Sequence, residues 1–299
     1  MRKLLFDVSY LAARLLGKAS RSFLALSQRF VSREWQAAAT VASTNYDMMS
    51  APDERYYADQ YWRLLAPALQ GIASEARCLD LGCSQGRFSL RLAERFPQGS
   101  VIACDLSRSA IDAARVSARE RGMRNVDFRV DSIGALLSGL PSDSQDVLFM
   151  TEVTFFYPEW QAAYPRMLEV LRPGGLLVMS FRSQYFYSLY VARARLWSSV
   201  STVVDARRGK ILGSPTEFSW QTSSEIRQLF EQSGVTLVSI YGIGVCSGIP
   251  GDPHDVIARP SQLHPGEAGS LMDLECALAA SNPDAGRYLL AIGRKAIAS

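Results

Sequence analysis

Short apolar runs alternate with longer segments of helical periodicity through the middle of the chain. ARCLDLGC, from residue 76, is a short apolar run that reaches Gly82, and GRFSLRLAERF, from residue 86, repeats apolar residues at helical spacing. The alternation continues with SVIACD, LSRSAIDAARVSARERG, VDFRVD, DVLFMTE, EWQAAYPRMLEVL and LLVMSF. Strands that alternate with helices of this length predict a doubly wound α/β fold, with a mostly parallel sheet covered on both faces.

Three further segments extend this pattern towards the end of the chain. SSEIRQLFEQSG predicts a helix, and VTLVSIYGIG and RYLLAIGRKA predict two more strands. The total of seven strands predicts a Rossmann-like sheet. Two inserts interrupt the order. Residues 184–221, which are aromatic and basic, predict a helical lid over an acceptor, and a second insert over residues 245–285 precedes the last strand.

Residues 1–50 form a predicted helical extension, distinct from the α/β domain over residues 51–299. Apolar residues recur at steps of three and four from Leu4 to Phe30, which places them on one helix face. Residues 1–33 carry seven Lys and Arg side chains against one Asp. Charged residues interrupt the apolar runs, so neither a membrane span nor a secretory signal is predicted. Three interpretations stay open: an interfacial helix on anionic lipid, a mitochondrial-type presequence, or a helix packed on the domain or on a partner such as a second copy.

Composition narrows the functional classes. Hydrophobic residues make up 48% and charged residues 20% of the 299 positions, which is typical of a globular protein. The net charge of +3 is too small to predict a nucleic-acid partner. The five cysteines include no C-x-x-C pair, so neither a metal site nor a disulfide framework is predicted. Reduced thiols indicate a cytoplasmic protein.

The turn CLDLGCSQGRFSL lies at the first predicted strand-to-helix junction. Ligands of parallel sheets bind beyond the carboxyl ends of the strands, and Gly82 and Gly86 let the backbone pass close to such a ligand. Asp105 ends the second strand and Asp131 ends the third. Carboxylates at these ends can accept hydrogen bonds from ribose hydroxyls and meet an adenine edge. The pattern therefore predicts a nucleoside site.

The same turn does not fit a dinucleotide. The dinucleotide motif G-x-G-x-x-G needs a middle glycine to make room for a pyrophosphate, and Ser84 stands in that position here. The Asp80 carboxylate would repel phosphate, but it suits a ligand that carries an ammonium and a sulfonium. An NAD(P)-dependent oxidoreductase is therefore disfavoured.

Several motifs, taken in chain order, resemble those of the class I S-adenosylmethionine-dependent methyltransferases. They are LDLGCSQGRFS, VIACDLS, VDFRVDS, TEV and LRPGGLLVMSFR, and the resemblance covers residues 76–183. It implies S-adenosylmethionine as the cofactor. In that family pattern the methionine end of the cofactor is lined by Asp80, Gly82, Cys83 and Gly86. Asp105 holds the ribose, and Leu106 packs beside the adenine, whose ring Asp131 and Ser132 meet. Glu152 lies near the sulfonium.

The acceptor side departs from the family. Many relatives read EVLEHL where this chain reads EVTFFYPEW, and Phe156 occupies the position of their histidine. The candidates for the group that accepts a proton are Tyr157 and the two histidines of the sequence, His254 and His264, which are both expected in a surface loop. The side chains predicted to contact the acceptor are Phe156, Trp160, Arg182 and Tyr185. Tyr157 and Trp160 are further predicted to form an aromatic wall, and the rim position of Arg182 fits an anionic acceptor or a pairing acid.

Together these features predict methyl transfer to a small-molecule, lipophilic acceptor, with oxygen as the favoured atom. The lid is loosely similar to that of the O-methyltransferases of ubiquinone biosynthesis, and an aromatic lid fits a small acceptor better than a protein or a nucleic acid. The missing histidine leaves one alternative, a catalytically silent S-adenosylmethionine-binding protein that regulates a partner. The expected location is the cytoplasm, with peripheral membrane contact through the N-terminal helix.

Overall fold

A seven-stranded sheet organises the part of the chain that the computed structural model describes, residues 47–157, 159–210 and 217–297. The strands in chain order are β1 (Arg77–Leu81), β2 (Ser100–Asp105), β3 (Val126–Val130), β4 (Gln145–Met150), β5 (Leu171–Arg182), the two-residue strands β6 (Arg208–Gly209) and β7 (Phe218–Ser219), β8 (Val235–Ile243) and β9 (Tyr288–Lys295). The predicted extension over residues 1–50 lies outside the described residues except for its last four.

Nine α-helices accompany these strands within the same described ranges. They are α1 (Pro52–Leu69), α2 (Arg87–Arg95), α3 (Arg108–Glu120), α4 (Ile133–Ser138), α5 (Trp160–Val170), α6 (Gln184–Arg193), α7 (Val200–Asp205), α8 (Ser223–Gln232) and α9 (Pro265–Leu278). None of the described helices combines the length and the apolar character that a membrane crossing requires.

The strand order of the large sheet is β3-β2-β1-β4-β5-β9-β8. Strands β1 to β5 pair in parallel, whereas β9 is antiparallel to both β5 and β8. The predicted Rossmann-like, mostly parallel sheet is therefore confirmed. The order changes direction between β1 and β4, so the crevice for a ligand lies beyond the carboxyl ends of these two strands.

Both faces of the sheet are covered, as the near-continuous apolar runs of the strands require. Along β4, Leu148 and Met150 pack into a core that holds α5 and α8, whereas Val147 and Phe149 pack into a second core that holds α1 and α2. This alternation follows from the two-residue period of a strand.

The lid, residues 184–221, has a small core of its own. Helices α6 and α7 and the β6–β7 pair surround Trp220, which is fully buried and donates its indole N–H to the carbonyl of Val203 at 3.1 Å. The prediction of helices is thus right for α6 and α7, but the insert also contains the β6–β7 pair. Its ends lie side by side, because Ser183 and Gln221 form a parallel bridge.

The second insert, residues 245–285, is fastened to α1 by a buried carboxylate. Glu275 on α9 is fully buried and accepts four hydrogen bonds. Their donors are Tyr56 Oη at 2.8 Å, Gln60 Nε2 at 3.1 Å, Cys246 N at 2.8 Å and Ser247 Oγ at 2.9 Å. Buried donors need a hydrogen-bond acceptor in the protein because water cannot reach them, and the Glu275 carboxylate is that acceptor. It therefore joins α1, α9 and the segment after β8, and we call this connection the Glu275 clamp.

Replacing Glu275 tests this clamp. We expect Glu275→Ala to lower the free energy of unfolding by about 3 kcal/mol or more, because several buried donors lose their acceptor. Asp273→Ala on the same helix is the matched control. It removes an ion pair with Arg63 whose two side chains are 55% and 68% exposed, so it should lower the free energy of unfolding far less than Glu275→Ala does. Denaturant melts that give equal losses for both variants would contradict the clamp.

Candidate functional site

Hydrogen bonds bring the ends of the first three strands together at one rim of the sheet. The amides of Gly82 and Cys83 donate to the Cys104 carbonyl at 2.8 and 2.9 Å, and the amide of Ser84 donates to Asp105 Oδ2 at 2.9 Å. Asp131 N then donates to the Asp105 carbonyl at 3.1 Å. The glycine turn, the end of β2 and the start of the segment after β3 therefore form one connected surface.

The backbone of the turn explains why two of its positions are glycine. Gly82 and Gly86 have φ angles of +77° and +84°. A Cβ atom at Gly82 would lie 2.3 Å from Val153, and one at Gly86 would lie 2.9 Å from the ring of Phe128. Ser84, which replaces the middle glycine of the family pattern, also adopts a positive φ of 47°. It keeps the glycine conformation at a strain cost of about 1 kcal/mol.

Asp105 uses both of its carboxylate oxygens within the turn region. Oδ2 accepts from Ser84 N, and Oδ1 accepts from Ser107 N at 2.8 Å. Burial raises the pKa of Asp105, and these backbone donors oppose that rise. Each oxygen still has a second lone pair, so the carboxylate can also accept from a ligand hydroxyl. Leu106 follows it on the same rim, partly buried.

Asp131 and Ser132 lie directly after β3, as the sequence predicts. Ser132 N donates to Asp131 Oδ1 at 2.8 Å, and the Ser132 hydroxyl caps α4 by accepting from Ala135 N at 3.1 Å. The hydroxyl thus has a structural role. The Asp131 carboxylate is the member of the pair that offers further acceptor capacity.

Asp80 lies beneath the turn, with 2% of its surface exposed. Burial raises its pKa to about 6, although the Ser89 hydroxyl, which donates to Oδ2 at 2.5 Å, and the Arg87 charge both lower it. A carboxyl with this pKa changes its charge state close to neutral pH. A positively charged ligand group beside it would favour the ionised form.

A buried ion triad at this rim was not predicted from the sequence. Arg87, the first residue of α2, pairs with Glu54 on α1 at 2.7 Å and with Glu152 after β4 at 3.1 Å. Glu152 has a φ angle of +58°, and its amide donates to Ser180 Oγ at 2.6 Å. The predicted cofactor residue Glu152 is therefore held by its neighbours. The one sequence signal for the triad is an arginine immediately after the second glycine of the turn.

The loop after β4 carries the aromatic residues predicted for the acceptor. Phe156 lies with its ring centroid 3.8 Å from that of Phe155 and 5.8 Å from that of Phe218, which belongs to the lid. The lid is joined to this loop by Ser219, which donates to the carbonyls of Phe155 and Thr154. The lid and the post-β4 loop therefore meet beyond the carboxyl end of β4.

The other residues predicted to contact the acceptor differ in how deeply they are buried. Trp160 is 2% exposed and packs between Tyr164 and Phe181 in the core beneath α5, so its ring serves the core rather than an open wall. Tyr157 packs against the same core and is partly buried. Tyr185 lies on α6 with 50% of its surface exposed.

His254 is not on the surface, so the expectation of a surface loop is wrong. It is 2% exposed because its ring stacks on Phe186 of the lid, with centroids 6.1 Å apart, and lies in a segment packed against α6. Its Nε2 lies 3.1 Å from the Ala285 carbonyl, which can only accept, so Nε2 carries the proton and Nδ1 keeps a lone pair. Burial lowers the pKa of His254, which favours this neutral form.

Among the residues described, no group of three or more His, Cys, Asp or Glu side chains is arranged to hold a metal ion. The three buried cysteines, which are Cys78, Cys83 and Cys104, all have pKa values raised by burial, so their thiols are protonated. Cys83 therefore lines the turn as a neutral, small side chain.

Comparison with known proteins gives a consistent result. A family model described as "Methyltransferase domain" matches residues 72–234. The chain is 28% identical over 137 residues to a trans-aconitate 2-methyltransferase of Azoarcus sp. (strain BH72), a match that covers 44% of this chain and 51% of that protein. It is 27% identical over 213 residues to the methyltransferase tpcH of Aspergillus fumigatus, covering 62% and 71%. The chain thus spans about half the length of the first relative.

A solved structure supports the fold. The structure of a SAM-dependent methyltransferase from Methanosarcina mazei aligns with a TM-score of 0.52 at 16% identity, covering 76% of this chain and 95% of that one. At this level of identity the likeness concerns the fold alone.

Removal of the Asp105 carboxylate should weaken cofactor binding. We expect Asp105→Ala to lower the affinity for S-adenosylmethionine about tenfold or more, because a hydrogen bond to a charged acceptor is lost and the turn loses its anchor at Ser84. Calorimetric titration measures this. Asp127→Ala, which removes an exposed carboxylate from the neighbouring strand β3, is the control and should bind normally. Unchanged affinity in Asp105→Ala would remove Asp105 from the site.

Cofactor affinity should also depend on pH through Asp80. With a pKa of about 6, the free carboxyl is mostly protonated at pH 5, and a cationic ligand must then displace the proton. Affinity for S-adenosylmethionine should therefore rise about tenfold between pH 5 and pH 7 and level off above that. Asp80→Asn should flatten the profile. If the wild-type and variant profiles run parallel, Asp80 is not the group that titrates.

Proposed function

The chain belongs to the family of methyltransferase domains, whose model matches more than half of its length, and we propose that it methylates a small, lipophilic molecule with S-adenosylmethionine as the donor. The family predicted from the sequence is thereby confirmed. The observation that carries the proposal is the connected rim of the glycine turn, Asp105 and Asp131, with the buried Asp80 beneath it.

The charges of this rim fit S-adenosylmethionine. When bound, the cofactor supplies an electrophilic methyl group on a positively charged sulfur. Four carboxyl groups lie in or beside the turn, which are Asp80, Asp105, Asp131 and Glu152. An ammonium and a sulfonium are favoured in such a setting, whereas a pyrophosphate is repelled. Within the proposal, Asp105 binds the ribose hydroxyls, Asp131 meets the adenine, and Asp80 lies near the methionine end.

The lid supports a small acceptor. It contributes Phe218 and Phe186 to the same neighbourhood as Phe155 and Phe156 after β4. Aromatic side chains beside this rim fit a molecule with a flat, apolar carbon skeleton that the lid can shield from water. The Azoarcus relative is named for a small organic molecule, trans-aconitate, which agrees with an acceptor of small size.

Two side chains are proposed to receive a proton from the acceptor. His254 is the stronger candidate because it is neutral and keeps its Nδ1 lone pair, which has no hydrogen-bond partner among the described residues. Tyr157 is the other. Methylation assays of His254→Gln and Tyr157→Phe separate them, since loss of turnover with intact cofactor binding should occur in only one variant.

Excision of the lid tests whether the lid serves acceptor binding and the rest of the domain serves cofactor binding. Because Ser183 and Gln221 are neighbours, residues 185–220 can be replaced by a short Gly-Ser linker. We expect the excised protein to bind S-adenosylmethionine normally but to lose methyl transfer to low-molecular-weight compounds of a metabolite extract, followed with a labelled methyl group. Full-length protein should label a small organic product. If turnover survives excision, acceptor recognition must lie elsewhere, most directly in residues 245–285.

We also propose a membrane-binding role for residues 1–33, which lie outside the described residues. Their excess of six positive charges and their apolar stripe support reversible binding to an anionic membrane, the source of a lipophilic acceptor. Full-length protein should sediment with anionic vesicles at low salt, dissociate as salt rises, and ignore neutral vesicles. A protein lacking residues 1–33 should stay in the supernatant. Identical behaviour of the two proteins would refute membrane binding by this segment.

A further inference from the structure

One of the three arginine side chains that are buried among the described residues has no carboxylate partner. Arg87 and Arg287 each pair with buried carboxylates. Arg182, with 8% of its surface exposed, makes hydrogen bonds to neutral groups but no ion pair with any residue that the structure describes. A buried charge without a counter-charge is costly, so the exception calls for a physical explanation.

Aromatic rings surround the Arg182 guanidinium. Its central carbon lies 3.9 Å from the ring centroid of Tyr288, 4.3 Å from that of Phe186 and 4.7 Å from that of Phe155. Nη2 donates to Tyr288 Oη at 2.7 Å, and Nη1 is 3.4 Å from the Arg287 carbonyl. The rings stabilise the cation without neutralising it. The Nε–H group has no acceptor among the described residues.

Two neighbours of Arg182 also carry buried polar atoms without a partner in the described chain. The backbone amide of Gln221 donates to the Arg182 carbonyl at 3.0 Å, and its side-chain oxygen Oε1 has no hydrogen-bond partner. His254, which stacks on Phe186, has an unpaired Nδ1. Unsatisfied buried polar atoms are uncommon in folded proteins, and three in one neighbourhood indicate a place where a polar ligand is bound.

The position of Arg182 fits the acceptor and not the cofactor. It is the last residue of β5, beside β4, and therefore lies at the same rim as Glu152 but one strand further from the glycine turn. Phe186, which covers the guanidinium, belongs to α6 of the lid. Displacement of α6 would therefore uncover the cation at the rim where β4 and β5 end.

We propose that Arg182 binds an anionic oxygen of the methyl acceptor, and that the acceptor is a planar, unsaturated carboxylic acid. The inference rests on the proposed function and specifies its substrate class. The free Nε–H and an adjacent Nη–H form the fork that matches a carboxylate, and the surrounding rings favour a flat carbon skeleton. The competing role is purely structural, with Arg182 holding α6 to the sheet.

Matched acids and amides distinguish the two roles. Protein saturated with S-adenosylhomocysteine is titrated by calorimetry with benzoate, cinnamate and 4-hydroxybenzoate, and with the corresponding carboxamides. We expect at least one acid to bind about tenfold or more tightly than its amide, because only the acid forms charge-assisted hydrogen bonds. Arg182→Met should abolish this preference, and Arg182→Lys should keep part of it. Arg195→Met, which changes an exposed lid arginine, should retain the wild-type preference.

Cofactor binding and thermal melts of the same variants distinguish a lost acid preference from a lost fold. If Arg182→Met binds S-adenosylhomocysteine normally but no longer prefers the acid, the inference is supported. It is overturned if wild-type protein shows no preference among the three pairs, or if Arg182→Met retains one. Should Arg182→Met fail to fold, Arg182→Lys alone decides, since a structural role predicts an unchanged preference. Failure of the wild-type protein to bind S-adenosylhomocysteine would instead contradict the proposed function.

Discussion

The carboxylate of Asp105 is the point on which the geometry of the site depends. It accepts hydrogen bonds from the backbone amides of Ser84 and Ser107. A single side chain at the end of β2 therefore holds both the glycine turn after β1 and the residues that lead into α3. The backbone beside it does the same for Gly82 and Cys83 through the Cys104 carbonyl. The turn can therefore keep a backbone with three positive φ angles, one of them at a serine, because its neighbours on β2 hold it in place.

Around this point the rim divides into two regions of different charge. The turn side gathers carboxyl groups, and Arg87, which lies among them, is neutralised by Glu54 and Glu152. The lid side carries Arg182 among aromatic rings without a carboxylate partner in the described chain. A cationic methyl donor and an anionic acceptor would thus meet where β4 and β5 end. Such an arrangement attracts each reactant to its own side and brings opposite charges together.

Local patterns in the sequence were enough to predict the sheet and the residues at the ends of its first three strands. Period and turn residues are local properties, so the seven strands and the positions of Gly82, Asp105 and Asp131 could be predicted. The burial of His254 and Trp160 could not, because it depends on Phe186 and on Phe181, which are distant in sequence. For the same reason the Glu275 clamp, whose partners lie up to 219 residues apart, gave no local signal. The Glu54–Arg87 pair, whose members lie 33 residues apart, had only the arginine after the second glycine as a signal.

Competition between a nucleoside ligand and a dinucleotide tests whether this rim binds S-adenosylmethionine and not NAD⁺. The purified full-length protein is titrated by calorimetry with S-adenosylhomocysteine, with NAD⁺, and with each in the presence of the other. We expect saturable binding of S-adenosylhomocysteine at one site per chain, undisturbed by excess NAD⁺. Binding of NAD⁺ that competes with S-adenosylhomocysteine, or no binding of S-adenosylhomocysteine at all, would contradict this assignment.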